Sequence, residues 1–267
     1  ILETLITNKK VIDPYDELLA DFYYIKKINE DEFDGLKITD LSNPYQNWKT
    51  YDPSLDNSND PNVLFQRGFQ YMKGVGIAKD YNKALSYLAK AVIQNHSQAK
   101  VYFAILSKMC NLSHCSELFK FNMLGAKIQG LSLAYVEEAK IELGLYENIP
   151  KGDVNKAQEL LQIAIDAGDS YALYIRGRYL EDAHSLREAS NKGCGKASYY
   201  IGKIMIDEHQ HDDALPIIER GASQGHPKAV FIYGYLNMLQ KNKEKAEEFL
   251  TKGVNMAGNS IIAVKYG

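Results

Sequence analysis

Three stretches of the sequence contain residue types that could do chemistry. The first is a glycine turn, Gly74 and Gly76, followed by Lys79 and Asp80. Such a turn holds phosphate when it follows a strand and opens a helix. The residues before it lack β-strand alternation, and Pro61 stands where a helix would begin. The third glycine of a dinucleotide-binding loop is also missing. We therefore predict a corner between two helices, with Lys79 in solvent and Asp80 as a helix cap.

The second stretch contains Cys110 and Cys115, with His114 between them and His96 upstream. Cysteine and histidine are zinc ligands, but zinc sites usually show closer pairing and four ligands. The favoured interpretation is free thiols at a repeat corner. The only other cysteine is Cys194, and so low and odd a count is not a disulfide framework.

The third stretch is a polar cluster of His209, His211, Asp212 and Asp213. Acidic residues in the first turn of a helix are favourable there, so a solvated corner is the simpler interpretation. No nucleophile elbow, Walker loop or His-Glu zinc helix is present in the sequence. We predict no catalytic residue, no metal and no cofactor.

The composition restricts the classes of partner. A net charge of −3 and a pI near 6.1 argue against a general nucleic-acid binder. No apolar run approaches the length of a membrane span. The chain starts at Ile1 rather than Met, so the removal of an N-terminal signal peptide is an open alternative. We expect a soluble protein, and the sequence does not decide between a cytoplasmic and a secreted one. Whether the native chain continues past Gly267 is open as well.

A short phrase returns along the chain at intervals of 25 to 38 residues. Each copy ends at a corner residue, a small residue opens a helix four positions later, and a second small residue follows after five more. The corners are Asn95, Gly130, Gly168, Gly193, Gly225 and Ala257; the opening residues are Ala99, Ala134, Ala172, Ala197 and Ala229; and the second small residues are Ala104, Ala139, Gly177, Gly202 and Gly234. Val63 and Gly68 fill these places in the first unit. Helices cross closely only where side chains are small, so the pattern predicts paired helices.

The second helix of each unit also repeats. Asp80 and Asp153 precede similar apolar stripes, and alanines share one position in Ala84, Ala157, Ala214 and Ala246. The fourth unit is about ten residues shorter than its neighbours, which predicts a stunted helix pair. We predict an all-α protein: an α-solenoid of about six stacked antiparallel helix pairs.

The stretch RGFQYMKGVGIAKDYNKALSYLAKA resembles a Sel1-like repeat, a relative of the tetratricopeptide repeat. Eight of its residues match that pattern: Gly68, Tyr71, Gly74, Gly76, Asp80, Lys83, Ala84 and Ala91. Arg67 stands where the family has leucine. The resemblance covers about residues 61 to 267. It implies a scaffold that holds other proteins together, in a family with many members in bacterial envelope, virulence and quality-control pathways, and it carries over no catalytic residue.

We predict two regions, residues 1–60 as a non-repeat segment and residues 61–267 as the solenoid. In the first region, an apolar face from Tyr15 to Ile28 predicts a helix. A long irregular segment follows, which Trp48 and Tyr51 could attach to the first repeat. The C-terminal residues fit one further helix.

One position, six residues after each opening small residue, is proposed to contact a partner. It reads Phe69, Ile105, Lys140, Arg178, Lys203 and Tyr235, and Tyr200 lies on the same helix face as Lys203. We predict that Lys140, Arg178, Tyr200, Lys203 and Tyr235 bind a protein or peptide partner, with an acidic segment as the best match. The alternative is that these side chains are simply solvated or lie over the next repeat.

Two classes of function remain open at this point. One is a non-catalytic protein–protein interaction scaffold or adaptor, such as a virulence or envelope factor. The other is a targeting or regulatory repeat region of an enzyme whose catalytic part lies at or upstream of the N-terminal segment.

Overall fold

The computed structural model describes residues 52–257, with side chains described to Gly253. A short 3-10 helix, Pro53–Asn57, precedes twelve α-helices, and this part of the chain has no strand. The helices are α1 (Pro61–Lys73), α2 (Tyr81–Ile93), α3 (Ser97–Met109), α4 (Cys115–Ile128), α5 (Ser132–Glu142), α6 (Val154–Asp166), α7 (Ser170–Tyr179), α8 (Ala183–Asn191), α9 (Gly195–Asp207), α10 (His211–Ser223), α11 (Pro227–Leu239) and α12 (Lys243–Ala257). The predictions for the N-terminal helix, for Trp48 and Tyr51, and for a helix after Ala257 lie outside the described residues.

The helices form six successive pairs. Each first helix (α1, α3, α5, α7, α9, α11) packs on the second helix that follows it, and from α2 to α10 each second helix packs on the next first helix. First helices also contact one another directly, in the pairs α1 with α3, α3 with α5, α5 with α7, and α9 with α11. Neighbours along the sequence are therefore neighbours in space, which confirms the predicted all-α solenoid of helix pairs.

The corners have the backbone conformation that the glycine pattern predicts. Gly74 and Gly76 have φ of 77° and 71°, in the left-handed region where a Cβ is unfavourable. The turn follows α1, not a strand, and Asp80 accepts a hydrogen bond from the amide of Lys83 at 3.0 Å. Lys79 is exposed. This stretch is a helix corner, as predicted, and lacks the strand that a dinucleotide-binding loop follows.

Close approach of paired helices explains the second small residue of each unit. A Cβ added at Gly177 would lie 2.7 Å from the backbone nitrogen of Leu186, and one at Gly234 would lie 2.8 Å from that of Leu250. At Gly202 the nearest atom is Ile218 Cδ1, at 2.4 Å. The alanines in the same position of the second and third units are fully buried. Small residues therefore occur where a first helix touches its second helix.

The fourth pair is short, as predicted. Helix α7 has ten residues and α8 has nine, and only residues 180–182 connect them. Asp182 caps α8 by accepting hydrogen bonds from the amides of His184 and Ser185. Because a helix this short forms few internal hydrogen bonds, the cap and the packing of Leu186 carry much of its stability.

Arg67 has a structural role that the sequence did not reveal. Its side chain is buried, its Nε lies 3.1 Å from Asp56 Oδ1, and its Nη1 donates to Gln70 Oε1 at 2.7 Å. Its Nη2 also donates to the carbonyl oxygen of Asp52. Arg67 therefore joins the 3-10 helix to α1.

Candidate partner-binding face

All the predicted partner-binding residues lie on first helices, and the surface that these six helices form is here called the first-helix face. The proposed position is not equally accessible along it. Phe69, Ile105 and Lys140 are buried in the first three units, whereas Arg178, Lys203 and Tyr235 are half-buried in the last three. The position therefore belongs to the core at one end of the solenoid and reaches the surface at the other.

Arg178 is surrounded by tyrosine rings. Its guanidinium carbon lies 4.9 Å from the ring centroid of Tyr179, 5.2 Å from that of Tyr200 and 6.0 Å from that of Tyr174. Its Nη1 also donates to the hydroxyl of Tyr174 at 2.6 Å. Cation–π contacts and this hydrogen bond fix a half-buried guanidinium between α7 and α9.

Aromatic rings continue along the face on both sides of Arg178. Tyr174 stacks with Tyr171 at 5.6 Å and meets Tyr200 edge to face at 6.4 Å. Lys196, on α9, lies over the rings of Tyr171 and Tyr174 at 5.4 and 5.7 Å. The junction of α7 and α9 thus combines two cationic side chains with at least four tyrosines.

Three tyrosines of this region, Tyr146, Tyr171 and Tyr174, stay protonated. Burial, followed by the negative charge of Glu137, raises the pKa of Tyr146 and Tyr171 well above the usual value. Burial also raises the pKa of Tyr174, although the neighbouring Arg178 partly opposes that shift. Each hydroxyl can therefore donate a hydrogen bond at any physiological pH.

Lys140 differs from the other predicted residues because it is buried. Its Nζ lies 3.1 Å from Oε2 of Glu137, which is fully buried, and 5.2 Å from the ring of Tyr146. Tyr146 comes from the loop after α5 and donates its hydroxyl hydrogen to Glu137. Lys140 is therefore occupied in an internal ion pair, which the sequence did not indicate.

The remaining predicted residues are distributed over three first helices. Arg178 on α7 contacts Tyr200 on α9, Lys203 lies one turn after Tyr200, and Tyr235 is on α11. The sequence missed Tyr174 and Tyr179 as companions of Arg178. Spacing alone could have suggested Tyr174, which stands one helical turn before Arg178.

The other chemical candidates of the sequence lie at or beside helix corners. Residues 52–257 contain no group of three or more histidine, cysteine or acidic side chains that could hold a metal ion. Cys110 and Cys115 are free thiols beside the corner between α3 and α4. His209 is exposed at the corner before α10, and Asp212 and Asp213 lie in that helix's first turn, as predicted. No helix in this part is long and apolar enough to cross a membrane.

The solved structures that are similar to this chain include two helical repeat proteins. One is a Sel1 repeat protein from Oxalobacter formigenes, 21% identical, covering 77% of this chain and 64% of that one with a TM-score of 0.47. The other is a protective antigen of uropathogenic Escherichia coli strains with an SLR fold, 17% identical, covering 74% and 45% with a TM-score of 0.42. The chain thus spans less than two thirds of the length of either protein. A comparison with curated proteins gives no match.

The family model of the Sel1 repeat matches three segments, residues 63–103, 138–169 and 229–257. Each segment includes one whole second helix, α2, α6 or α12, together with parts of the first helices beside it. The match agrees with the left-handed corners and the close helix crossings of the structure. In these three segments the chain is therefore similar to the Sel1 repeat.

Proposed function

We propose that the chain is a non-catalytic scaffold whose first-helix face binds an acidic segment of a partner protein. Sel1-repeat proteins are generally protein-interaction scaffolds. The observation that supports a site at this position is the half-buried guanidinium of Arg178, which three tyrosine rings hold in place. A preorganised arginine loses little side-chain entropy when it binds a carboxylate.

The chemistry of the face suits a carboxylate-bearing segment with apolar side chains. Arg178 can bind a carboxylate through two parallel N–H donors, and Lys203, directly after Gly202, supplies a second cation. Tyr200 and Tyr235 are half-buried, so each offers an aromatic surface and a hydroxyl. Tyrosine and arginine are the side chains that most often dominate binding energy at protein interfaces.

Lys140 has a different role in this proposal. Because it is paired with the buried Glu137, it stabilises the middle of the solenoid instead of contacting the partner. The binding segment is accordingly placed over α7, α9 and α11.

A peptide-display selection against the full chain tests the proposal. We expect selected peptides to be enriched in Asp and Glu next to apolar residues. The double variant Arg178→Glu, Lys203→Glu should weaken their binding by at least ~10-fold in fluorescence polarisation, because both charges are reversed.

The matched control is Arg187→Glu, Lys192→Glu, which makes the same charge change on and just after α8 at exposed positions. It should leave peptide affinity unchanged. Peptides without acidic residues, or acidic peptides that bind the Arg178 and Lys203 variant as tightly as the parent when both are folded by circular dichroism, would refute an acidic-segment site.

A further inference from the structure

The second helices present an apolar surface that the solenoid itself does not cover. We infer that a second copy of this chain docks on it, so that the protein is a two-fold dimer joined through α4. The surface, here called the outer patch, consists of Ile93, Phe121, Leu124 and Ile128.

The four side chains of the outer patch are unusually open for apolar residues. Their exposed fractions are 83% for Ile93, 75% for Phe121, 58% for Leu124 and 77% for Ile128. Three of them follow one another at intervals of three and four along α4, so they form one stripe on a single side of that helix. The opposite side of α4 is the one packed in the core, through Phe119, Met123 and Ala126.

The other repeats show that this stripe is a solvent-facing position. Phe121, Leu124 and Ile128 lie nine, six and two residues before Gly130, the corner residue of their repeat. In the later second helices the same three positions hold Glu159, Gln162 and Asp166; His184, Arg187 and Asn191; Pro216, Glu219 and Ser223; and Glu248, Thr251 and Asn255. All of these side chains that the structure describes are exposed. Among the six repeats, only α4 has apolar residues at all three positions.

Ile93 extends the stripe onto the preceding second helix. It occupies the same position of α2 as Ile128 does of α4, two residues before the corner. The ends of the two helices are joined by hydrogen bonds, because Gln129 Nε2 donates to the carbonyl of Asn95 at 3.1 Å. Lys100 Nζ also bonds the side chains of both Asn95 and Gln129. Ile93 and Ile128 therefore lie at the ends of two helices that these hydrogen bonds join.

The size of the outer patch matches what a dimer requires. From their exposed fractions, the four residues present roughly 500 Å² per copy, near the upper end of the apolar patches that monomers leave open. A two-fold contact covers the patch on both copies and removes about 1,000 Å² from these residues alone. With the polar side chains around it, such as Glu117 and Lys120, the contact reaches the ~1,200 Å² at which specific interfaces begin.

The shape of the patch favours an identical partner. A two-fold axis across α4 near Leu124 lays the stripe of one copy along the same stripe of the other, so each apolar side chain meets an apolar one. The two α4 helices then run antiparallel, so their dipoles point in opposite directions and attract each other. The dimer leaves the first-helix face of each copy open, so two partner segments can bind at once.

Sedimentation velocity and light scattering of the full chain test the dimer. We expect a dimer whose fraction rises with concentration in the micromolar range. The triple variant Phe121→Glu, Leu124→Gln, Ile128→Asp transfers the third repeat's residues to α4 and should raise the dissociation constant by at least ~100-fold. At concentrations at which the parent is monomeric, the variant should have the same melting temperature as the parent, because the replaced side chains are exposed.

Ile163→Glu on α6 is the matched control, since it removes an exposed apolar residue outside the patch and should leave the dimer intact. A Leu124→Cys variant should form cross-linked dimers under mild oxidation faster than both the parent and Ile163→Cys. A parent chain that stays monomeric at all concentrations, or a triple variant that dimerises as the parent does, overturns the inference. Neither result bears on the peptide-binding test.

Discussion

At the scale of single residues, two histidines occupy the same place in different repeats. His96 caps α3 and His226 caps α11, and in each the ring Nδ1 accepts a hydrogen bond from the amide three residues later. Each ring also stacks on an aromatic side chain of the preceding first helix, Phe65 or Tyr199, with 4.8 Å between centroids. The neutral imidazole therefore both caps a helix and joins two repeats.

This arrangement predicts sensitivity to acid. Burial, followed by the positive charges of Lys196 and Lys228, lowers the pKa of His226 from 6.5 to about 3. Well above pH 6.5, the ordinary pKa of histidine, the His226 ring is neutral in both the folded and the unfolded chain. In that range its titration does not change the free energy of unfolding. As pH falls below 6.5, the unfolded chain takes up a proton that the folded chain refuses until about 3, so stability falls across that window.

The variant His226→Asn tests the effect, because asparagine keeps an acceptor at the cap and does not titrate. Between pH ~7.5 and pH ~5 the parent should lose about 2 kcal/mol more unfolding free energy than the variant. Urea denaturation at both pH values measures the difference, with His209→Asn as the exposed control. Equal losses for the parent and His226→Asn would show that the ring is not held neutral.

At the scale of helices, each pair is defined by how closely its two members approach. The added Cβ of an alanine at Gly234 would meet the backbone of Leu250 at 2.8 Å, and backbone cannot move aside as a side chain can. Gly125, inside α4, is a useful contrast. Its nearest neighbours are the terminal atoms of Lys100, at 3.4 Å, the end of a flexible side chain.

The same substitution should therefore have opposite effects in the two helices. Gly234→Ala should destabilise the protein by about 1 to 3 kcal/mol through overpacking, despite alanine's better helix propensity. Gly125→Ala should be neutral or stabilise by up to about 1 kcal/mol. Thermal and urea denaturation of both variants measures the contrast. A Gly234→Ala protein as stable as the parent would contradict a close crossing of α11 and α12.

At the scale of the whole molecule, the main contacts between the helices of residues 52–257 are local. Each main contact joins helices that are one or two positions apart along the chain. Stability in such an array is close to a sum over repeats and the interfaces between neighbours. Damage at one end should therefore weaken that end first.

Hydrogen exchange of Gly234→Ala tests this expectation. Amides of α11 and α12 should exchange faster than in the parent, those of α9 and α10 slightly faster, and those of α1 to α4 at the parent rate, because no contact transmits the loss so far. Mass spectrometry of peptic peptides resolves these segments. A uniform loss of protection along all the helices would show that the array unfolds as one unit.

The whole molecule also separates its two proposed surfaces. The first-helix face contains Arg178 and its tyrosines, whereas the outer patch lies on second helices near the other end of the array. A dimer through the outer patch would present two copies of the first-helix face. Two linked sites increase the avidity for a partner with two acidic segments, without any new contact.

The sequence by itself determined the helix pairs and their corners. Small residues at fixed intervals, glycine corners such as Gly168 and capping residues such as Asp153 act within one helix or between adjacent helices. Such interactions span few residues, so periodicity records them and the all-α solenoid could be predicted.

Only the tertiary structure decided which side chains of these helices are accessible. Lys140 and Arg178 share one repeat position, yet Lys140 is buried because Glu137 lies beneath it and the loop after α5 returns Tyr146 to the pair. Arg178 reaches the surface because the short fourth repeat has no such loop. The accessibility of a side chain depends on the size of the neighbouring repeats and on the path of the loops. A repeat pattern in the sequence describes what the repeats share, so it does not predict these differences between them.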